Sequence, residues 1–312
     1  MGDGSASVHE QITAQIVSDL EQGCIPWVQP WRDSGPGWPG GLPRNAVSGR
    51  PYSGVNILLL WAETADRRYQ SGRWLTFRQA LYLGGCVRKG EKGTQIVFAD
   101  TPNRAPPTDE EQEQAPLPGP RILRRFTVFN VDQCEGLPAS TAGDRPARCS
   151  EEIFMPRADA LVAASGADIR VGGSFAFYAP GPDYIRIPPP DVFYDPINWH
   201  RTRLHELAHW TGHSSRLARD FTGRWASEAY AREELVAELS AAFLCAELGI
   251  SPTVRHVDYI GAWLHVLKGD NRAVFQAASL ASRAATYLLG FEASGDLGPS
   301  TMRTSQALGH AA

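Results

Sequence analysis

The run HELAHWTGH at residues 205–213 carries side chains that could hold a metal ion. His205 and His209 stand four positions apart, so in a helix both imidazoles project from one face and can bind the same ion. Glu206 lies beside them and can take a proton from water without occupying the metal. A zinc ion would make that water acidic and polarise a carbonyl under attack. The run therefore predicts a zinc-dependent hydrolytic site of the HExxH type, with Glu206 as the general base.

A catalytic zinc ion needs a third protein ligand, and the run EELVAELSAAFL at 233–244 offers one. Glu234 and Glu238 share one face of the predicted helix. The pair resembles the gluzincin arrangement, in which one carboxylate binds zinc and another, four positions on, orients a ligating histidine. This resemblance implies Glu234 as the metal ligand and Glu238 as the orienting residue, and the reverse assignment stays open. Glu233 is predicted to lie on the solvated face.

Several other side chains could contribute to this site. His213 lies one turn beyond the second histidine, but three ligands along one straight helix would be strained. The metzincin pattern needs a histidine where this chain has Ser215, so that class is excluded. Tyr230 and Tyr259 could stabilise an oxyanion, although structural packing is the commoner role of such tyrosines. Residues 183–187 resemble the edge strand that lines a zincin cleft and pairs with an extended peptide.

The elements that must position these side chains form an α+β pattern. Apolar residues at helical spacing predict helices in both halves of the chain, and short runs of β-formers between Pro and Gly predict strands. The predicted helices are 8–22, 55–63, 76–83, 156–165, 196–214, 228–248, 255–268 and 270–289. The predicted strands are 96–99, 125–131, 175–180 and 183–188.

The length of 312 residues allows two domains, each with its own core. We predict a small mixed domain at 8–135, a linker at 136–155 and a mainly helical domain at 156–292. A Pro-rich acidic segment at about 99–120 and the tail at 293–312 are predicted to be disordered.

Composition excludes several classes of protein. The formal net charge of -4 gives no global nucleic-acid signature. No run of 18 apolar residues occurs, so we expect no membrane span. The N-terminus lacks the pattern of a secretory signal, which predicts a cytoplasmic location. Five scattered cysteines without a CxxC pair argue against a disulfide scaffold and against a cysteine zinc site.

The first domain is rich in aromatic and basic residues. Aromatic faces stack on unpaired bases and cations follow the phosphates, so this mixture suits single-stranded nucleic acid. The run GGCVRKGEKGTQIVF at 84–98 predicts a tight basic turn that enters a strand, with glycines that let backbone N–H groups approach phosphates. A tryptophan-rich core with a solvated basic turn is the alternative. The candidate DNA-binding residues are Trp74, Arg78, Arg88, Lys89 and Lys92.

Six pieces of the chain resemble the antirestriction protein ArdC family, over roughly residues 8–290. Three pieces resemble the N-terminal single-stranded-DNA-binding domain of that family: PYSGVNILLLW, WLTFRQALYLGGCVRKGEKGTQIVF and FTVFNVDQCEGL. Three more resemble its C-terminal zincin-like metallopeptidase domain: GADIRVGGSFAFYAPGPDYIRIP, LHELAHWTGHSSRLARDF and YAREELVAELSAAFLCAELGI.

The resemblance implies a function in the transfer of mobile elements such as conjugative plasmids. It implies binding of single-stranded DNA, with double-stranded DNA left open, and protection of the entering DNA against host restriction. It also implies a Zn²⁺ peptidase that acts on a protein substrate, for example a component of the restriction system. The alternative is a non-catalytic protein that coats single-stranded DNA and whose zinc domain is structural.

Overall fold

The computed structural model describes residues 6–28, 41–100, 122–142, 151–221, 227–250 and 259–295. These residues form an α+β fold. Its helices are α1 (Val8–Glu21), α2 (Val55–Arg67), α3 (Phe77–Tyr82), α4 (Glu151–Ser165), α5 (Pro196–Trp210), α6 (Glu228–Leu248), α7 (Ile260–Gly269) and α8 (Ala273–Gly295). Its strands are β1 (Arg44–Asn45), β2 (Arg73–Leu75), β3 (Cys86–Val87), β4 (Thr94–Asp100), β5 (Ile122–Asn130), β6 (Cys134–Glu135), β7 (Asp168–Val171), β8 (Phe177–Ala179) and β9 (Tyr184–Ile187).

The predicted helices are present, with shifted ends. Helix α4 begins at Glu151, so residues 151–155, predicted as linker, are helical. Strand β7 was not predicted, because it is a mostly exposed edge strand and carries charged residues instead of an apolar run. Most of the predicted acidic insertion and of the predicted tail lies outside the described residues.

The N-terminal half contains a sheet with the strand order β1-β2-β5-β4. Strand β4 pairs antiparallel with β5 along its whole length, from Thr94 opposite Val128 to Asp100 opposite Ile122. Helix α2 is fastened to β4 by the buried Asn56. Its side-chain amide donates to the carbonyl of Val97 at 2.7 Å and accepts from the N–H of Val97 at 2.9 Å. One side chain thereby satisfies two backbone groups of the strand.

The largest hydrophobic core joins the two halves of the chain. Trp27 packs against Trp263 with ring centroids 5.7 Å apart. Trp61 of α2 packs against Phe243 of α6 at the same centroid distance of 5.7 Å. Helix α1, which begins at a capping box formed by Ser7, lies against α7. The N-terminal and C-terminal regions therefore share one buried apolar cluster.

The C-terminal half contains a three-stranded sheet with the strand order β7-β9-β8. Ile185 and Ile187 of β9 are buried, and β8 and β9 both contact α5. Residues 183–187, predicted as an edge strand, instead form the centre of this sheet, so that prediction is wrong. The edges of the described sheet are β7 and β8. Among the described helices, none combines the length and apolar character that a bilayer crossing requires.

Candidate metal centre

Helix α5 presents the two histidines of the HExxH run. It begins where Asp195 accepts a hydrogen bond from the N–H of Ile197 at 3.2 Å, with Pro196 in the first helical position. The rings of His205 and His209 are buried, and their centroids lie 4.9 Å apart. The four-residue spacing thus brings both imidazoles to one face of the helix, as predicted.

Helix α6 brings Glu234 opposite this pair. One carboxylate oxygen of Glu234 lies 3.5 Å from Nε2 of His205, and the other lies 3.6 Å from Nε2 of His209. The three side chains are buried, and each offers a ligand atom within 4.8 Å of the other two. Zinc bonds of about 2.0–2.1 Å in a tetrahedron place neighbouring ligand atoms about 3.4 Å apart. The donor set and these two spacings therefore fit a divalent ion.

The electrostatics of this cluster favour a cation between the three side chains. Burial opposes protonation of His209, but hydrogen bonds to Glu233 and Glu234 outweigh it and raise the pKa of His209 to about 10. Burial also opposes protonation of His205, where hydrogen bonds to Glu234 and Glu238 raise the pKa. Burial raises the pKa of Glu234, but its hydrogen bonds to both histidines dominate and lower it. A metal ion entering here would displace protons from the imidazoles.

The outward nitrogen of each histidine faces a carboxylate of α6. Nδ1 of His205 lies 3.3 Å from a carboxylate oxygen of Glu238. Nδ1 of His209 lies 3.1 Å from Glu233. The prediction of a solvated Glu233 is wrong, because its side chain is 11% exposed and forms an ion pair with Arg219. Its helix face is covered by the segment that follows α5.

Glu206 and His213 are the remaining candidates on or beside α5. Glu206 is buried in the same turn of α5 as the histidines. Burial lowers the pKa of His205; the hydrogen bonds to Glu234 and Glu238 raise it, and the negative charge of Glu206 raises it to a lesser extent. His213 lies beyond the end of α5, where its Nδ1 is 2.7 Å from the hydroxyl of Ser215. His213 is therefore not one of the three side chains that the fold brings together.

The two candidate tyrosines meet next to Glu234. Their hydroxyl oxygens, on Tyr230 and Tyr259, lie 3.2 Å apart. Burial, the hydrogen bond with Tyr259 and the charge of Glu234 raise the pKa of Tyr230. The Tyr230 hydroxyl therefore keeps its proton at neutral pH and remains a hydrogen-bond donor.

The candidate DNA-binding residues have unequal access to a ligand. Trp74 has no exposed surface and packs with Leu60 and Ile96, so its indole offers no face to a base and that prediction is wrong. Arg88 donates to the carbonyls of Asp132 at 2.6 Å and Cys134 at 3.3 Å, so its guanidinium holds the basic turn. All four basic candidates, Arg78, Arg88, Lys89 and Lys92, are exposed, but the guanidinium of Arg88 is already engaged by these carbonyls.

Other aromatic residues of the N-terminal half are exposed, unlike Trp74. On α3, Phe77 is 50% exposed and Tyr82 is 82% exposed. On the hairpin, Phe98 and Phe126 are exposed and pack edge to face. Helix α3 begins at a capping box formed by Thr76, which is a signal visible in the sequence. Only Ala80 of this helix is buried, so its aromatic side chains stay exposed.

Comparison with known proteins agrees with this architecture. Residues 6–129 match the family model of the N-terminal domain of anti-restriction factor ArdC, and residues 156–280 match that of a zincin-like metallopeptidase, MPTase-PolyVal. A metal-free crystal structure of the antirestriction ArdC protein from plasmid R388 has a TM-score of 0.75 and 37% identity, covering 93% of this chain and 99% of that one. The Mn(II)-bound structure of the same protein has a TM-score of 0.75 and 36% identity, covering 92% of this chain and 99% of that one.

Two curated relatives extend the comparison. The uncharacterised protein y4eC of Sinorhizobium fredii is 38% identical over 285 residues, which are 90% of this chain and 91% of that protein. The DNA primase TraC of Escherichia coli is 36% identical over 310 residues, 94% of this chain. This chain spans only 28% of the length of that primase.

The fold and the donor set define a two-domain α+β protein whose C-terminal part is a zincin-like metallopeptidase domain. A zincin-like fold implies a bound metal ion. The chain belongs to the ArdC antirestriction family, which confirms the resemblance predicted from its sequence motifs.

Proposed function

We propose that this protein is a metal-dependent peptidase that is held on single-stranded DNA by its N-terminal half and protects entering DNA from restriction. The observation that carries the proposal is the buried cluster of His205, His209 and Glu234, with ligand atoms within 4.8 Å of one another. A metal ion with a purely structural role would require only these ligands. The adjacent buried Glu206 adds a base, and hydrolysis needs one.

His205, His209 and Glu234 would hold the ion, and two imidazoles with one carboxylate suit zinc. The ion would supply Lewis-acid chemistry, because it polarises the peptide carbonyl and acidifies the attacking water. Glu206 would take the proton from that water and return it to the leaving amide nitrogen. Glu238 would accept a hydrogen bond from Nδ1 of His205 and so keep Nε2 directed at the ion.

Tyr230 is the candidate donor to the oxygen of the scissile carbonyl. It lies one helical turn before Glu234, and its hydroxyl interacts with the carboxylate of that residue. Such a donor is most useful when it points at the oxygen that gains charge in the transition state. The second tyrosine of the pair, Tyr259, would hold the Tyr230 hydroxyl in place.

Strand β8 is the proposed docking strand for the protein substrate. It is an edge of the described sheet and contacts α5, which carries the two histidines. An extended peptide can add to such an edge through backbone hydrogen bonds. Strand β9, which lies at the centre of the sheet, has no free edge for this purpose.

The proposed DNA surface combines α3 with the basic turn. Phe77 and Tyr82 would stack on bases, and Arg78, Lys89 and Lys92 would contact phosphates. This arrangement needs unpaired bases, because stacking faces cannot reach bases inside a duplex. We therefore expect tighter binding of single-stranded than of double-stranded DNA, which a gel-shift comparison measures.

The peptidase is tested with the full-length protein and its Glu206→Gln variant. We expect about one zinc per chain in both, because Glu206 is not a ligand. We expect cleavage of a casein substrate by the wild type only. Undiminished cleavage by Glu206→Gln, or a wild type that binds no metal, would refute the proposal.

The exposed aromatic residues favour a second candidate, a protein that protects DNA by coating it. Phe98 and Phe126 form a further exposed aromatic pair that involves none of the proposed metal ligands. Conjugation of a plasmid into a restricting host distinguishes the two. If Glu206→Gln abolishes cleavage but leaves protection unchanged, coating is sufficient.

A further inference from the structure

The side chain of Glu233 joins His209 to a loop residue that sequence patterns did not connect with the site. Arg219 holds both oxygens of this carboxylate, with Nη2 at 2.8 Å from Oε1 and Nε at 3.0 Å from Oε2. The same Oε1 lies 3.1 Å from Nδ1 of His209. The Arg219 side chain is 3% exposed. A bidentate pair of this kind fixes the direction of the carboxylate as well as its charge.

Arg219 is itself fixed to the helix that carries the histidine. Its Nη2 donates to the carbonyl of Ala208 at 2.7 Å, and its Nη1 donates to the hydroxyl of Thr211 at 2.8 Å. The carbonyl of Ala208 belongs to the last turn of α5, where carbonyls have no partner within the helix. Because the guanidinium binds both Glu233 and this backbone, it fixes the position of the Glu233 carboxylate relative to His209.

An imidazole can offer either ring nitrogen to an ion, and a 180° turn of the ring exchanges them. With Nδ1 directed at Glu233, the Nε2 atom of His209 is the one that faces Glu234, at 3.6 Å. A partner that accepts from Nδ1–H therefore selects both the tautomer and the ring orientation.

We infer that Glu233 is a positioning residue that, held by Arg219, directs Nε2 of His209 toward the metal site. The inference rests on the metal-binding part of the proposed function and does not require peptide cleavage. It assigns one orienting carboxylate to each histidine: Glu238 serves His205, and Glu233 serves His209.

The test measures zinc affinity of the full-length protein by competition with a chromogenic chelator. The Glu233→Gln variant keeps an oxygen that accepts from Nδ1 but loses the ion pair with Arg219. The double variant Glu233→Leu with Arg219→Met removes the orienting group without leaving a buried charge unpaired, so it is the variant best suited to fold. Glu228→Gln is the control on the same helix, at a residue with an exposed side chain.

We expect zinc affinity to fall by about 10- to 100-fold in the double variant and by less in Glu233→Gln, and to stay unchanged in the control. The visible spectrum of the Co²⁺-loaded double variant should also change, because it reports ligand geometry. A purely structural role would leave that spectrum unchanged.

A folded double variant with wild-type zinc affinity and an unchanged Co²⁺ spectrum would overturn the inference. A wild type that binds no zinc would overturn both the inference and the proposed function. Zinc binding without cleavage would overturn only the peptidase, so the two failures are distinguishable.

Discussion

The guanidinium of Arg44 lies 2.6 Å from the carboxylate of Glu247, and this contact joins β1 to the C-terminal end of α6. The other oxygen of Glu247 accepts a hydrogen bond from the N–H of Leu42 at 3.1 Å. The helix that carries Glu234, a proposed metal ligand, is therefore tied directly to the N-terminal half.

Removal of this contact should destabilise the whole chain. We expect Arg44→Ala to cost about 0.5–1 kcal/mol, because the pair is partly solvated. Glu247→Ala should cost about 1–2 kcal/mol, since it also leaves a backbone N–H without its acceptor. Urea unfolding of both variants and the double variant gives the coupling energy. Strictly additive costs would contradict a direct interaction, and Arg67→Ala on an exposed helix face is the control.

Substitution of the two α6 carboxylates should separate ligand from orienting residue. Glu234→Ala removes the carboxylate that lies against both imidazoles and would bind the ion, so we expect the protein to lose its zinc. Glu238→Ala removes only the partner of Nδ1 of His205, so we expect about 10- to 100-fold weaker binding that excess zinc restores. Metal analysis of both variants at low and high zinc concentration distinguishes the ligand from the orienting residue. Loss of metal in Glu238→Ala alone would reverse the assignment.

Replacement of Tyr82 should weaken binding of single-stranded DNA. Its ring is 82% exposed, and a base stacked on it contributes about 1–3 kcal/mol, so Tyr82→Ala should lower affinity by about 5- to 150-fold. Fluorescence anisotropy with a labelled oligonucleotide measures this. Tyr194→Ala is the control, because it removes a fully exposed tyrosine from the C-terminal half. Equal effects of the two substitutions would exclude α3 as the DNA surface.

The Asp183–Arg216 contact should make stability depend on pH. A hydrogen bond from Arg216 lowers the pKa of Asp183 below its ordinary value of 3.8. A carboxyl with a lowered pKa contributes its full stabilisation above the unfolded value and loses it as the pH falls through the folded value. Asp183→Asn should therefore lower the Tm at pH 7 and have a smaller effect at pH 3. A deficit that does not change with pH would contradict this, and Asp66→Asn is the exposed control.

A methyl group at Gly212 should disturb the segment that follows α5. A Cβ there would lie 2.5 Å from Cζ of Phe221 and 2.9 Å from Nη2 of Arg219. We expect Gly212→Ala to cost about 1–3 kcal/mol, as overpacking does, and to weaken zinc binding because Arg219 must move. Gly181→Ala, where a Cβ meets nothing within 4 Å, is the control. Unchanged stability and zinc affinity would mean that Phe221 and Arg219 adjust without consequence.

The grouping of the candidate metal ligands could largely be predicted, because helical periodicity is local. The spacing of His205 and His209, and that of Glu234 and Glu238, fixes which side chains share a face before anything packs against them. Glu233 could not be placed in this way, because its face is covered by Arg219 from a separate segment. Sequence spacing does not encode that contact.

The sheets were harder to predict than the helices, because strand order and burial depend on distant pairing. The mostly exposed β7 pairs parallel with β9, so the predicted edge strand lies at the centre of the sheet. Trp74 lies in a three-residue strand, and its burial results from α2 packing over that face. Local aromatic composition predicted a nucleic-acid surface but could not tell which rings the fold covers.

The contact of Trp27 with Trp263 has a practical consequence for genetics. A chain cut between its halves would strip each indole of its partner, so isolated fragments would tend to aggregate. A null phenotype from such a truncation would therefore reflect misfolding of the remaining half. It would not show which activity the missing half performs. Screens for separation of function should therefore use surface substitutions in the intact polypeptide.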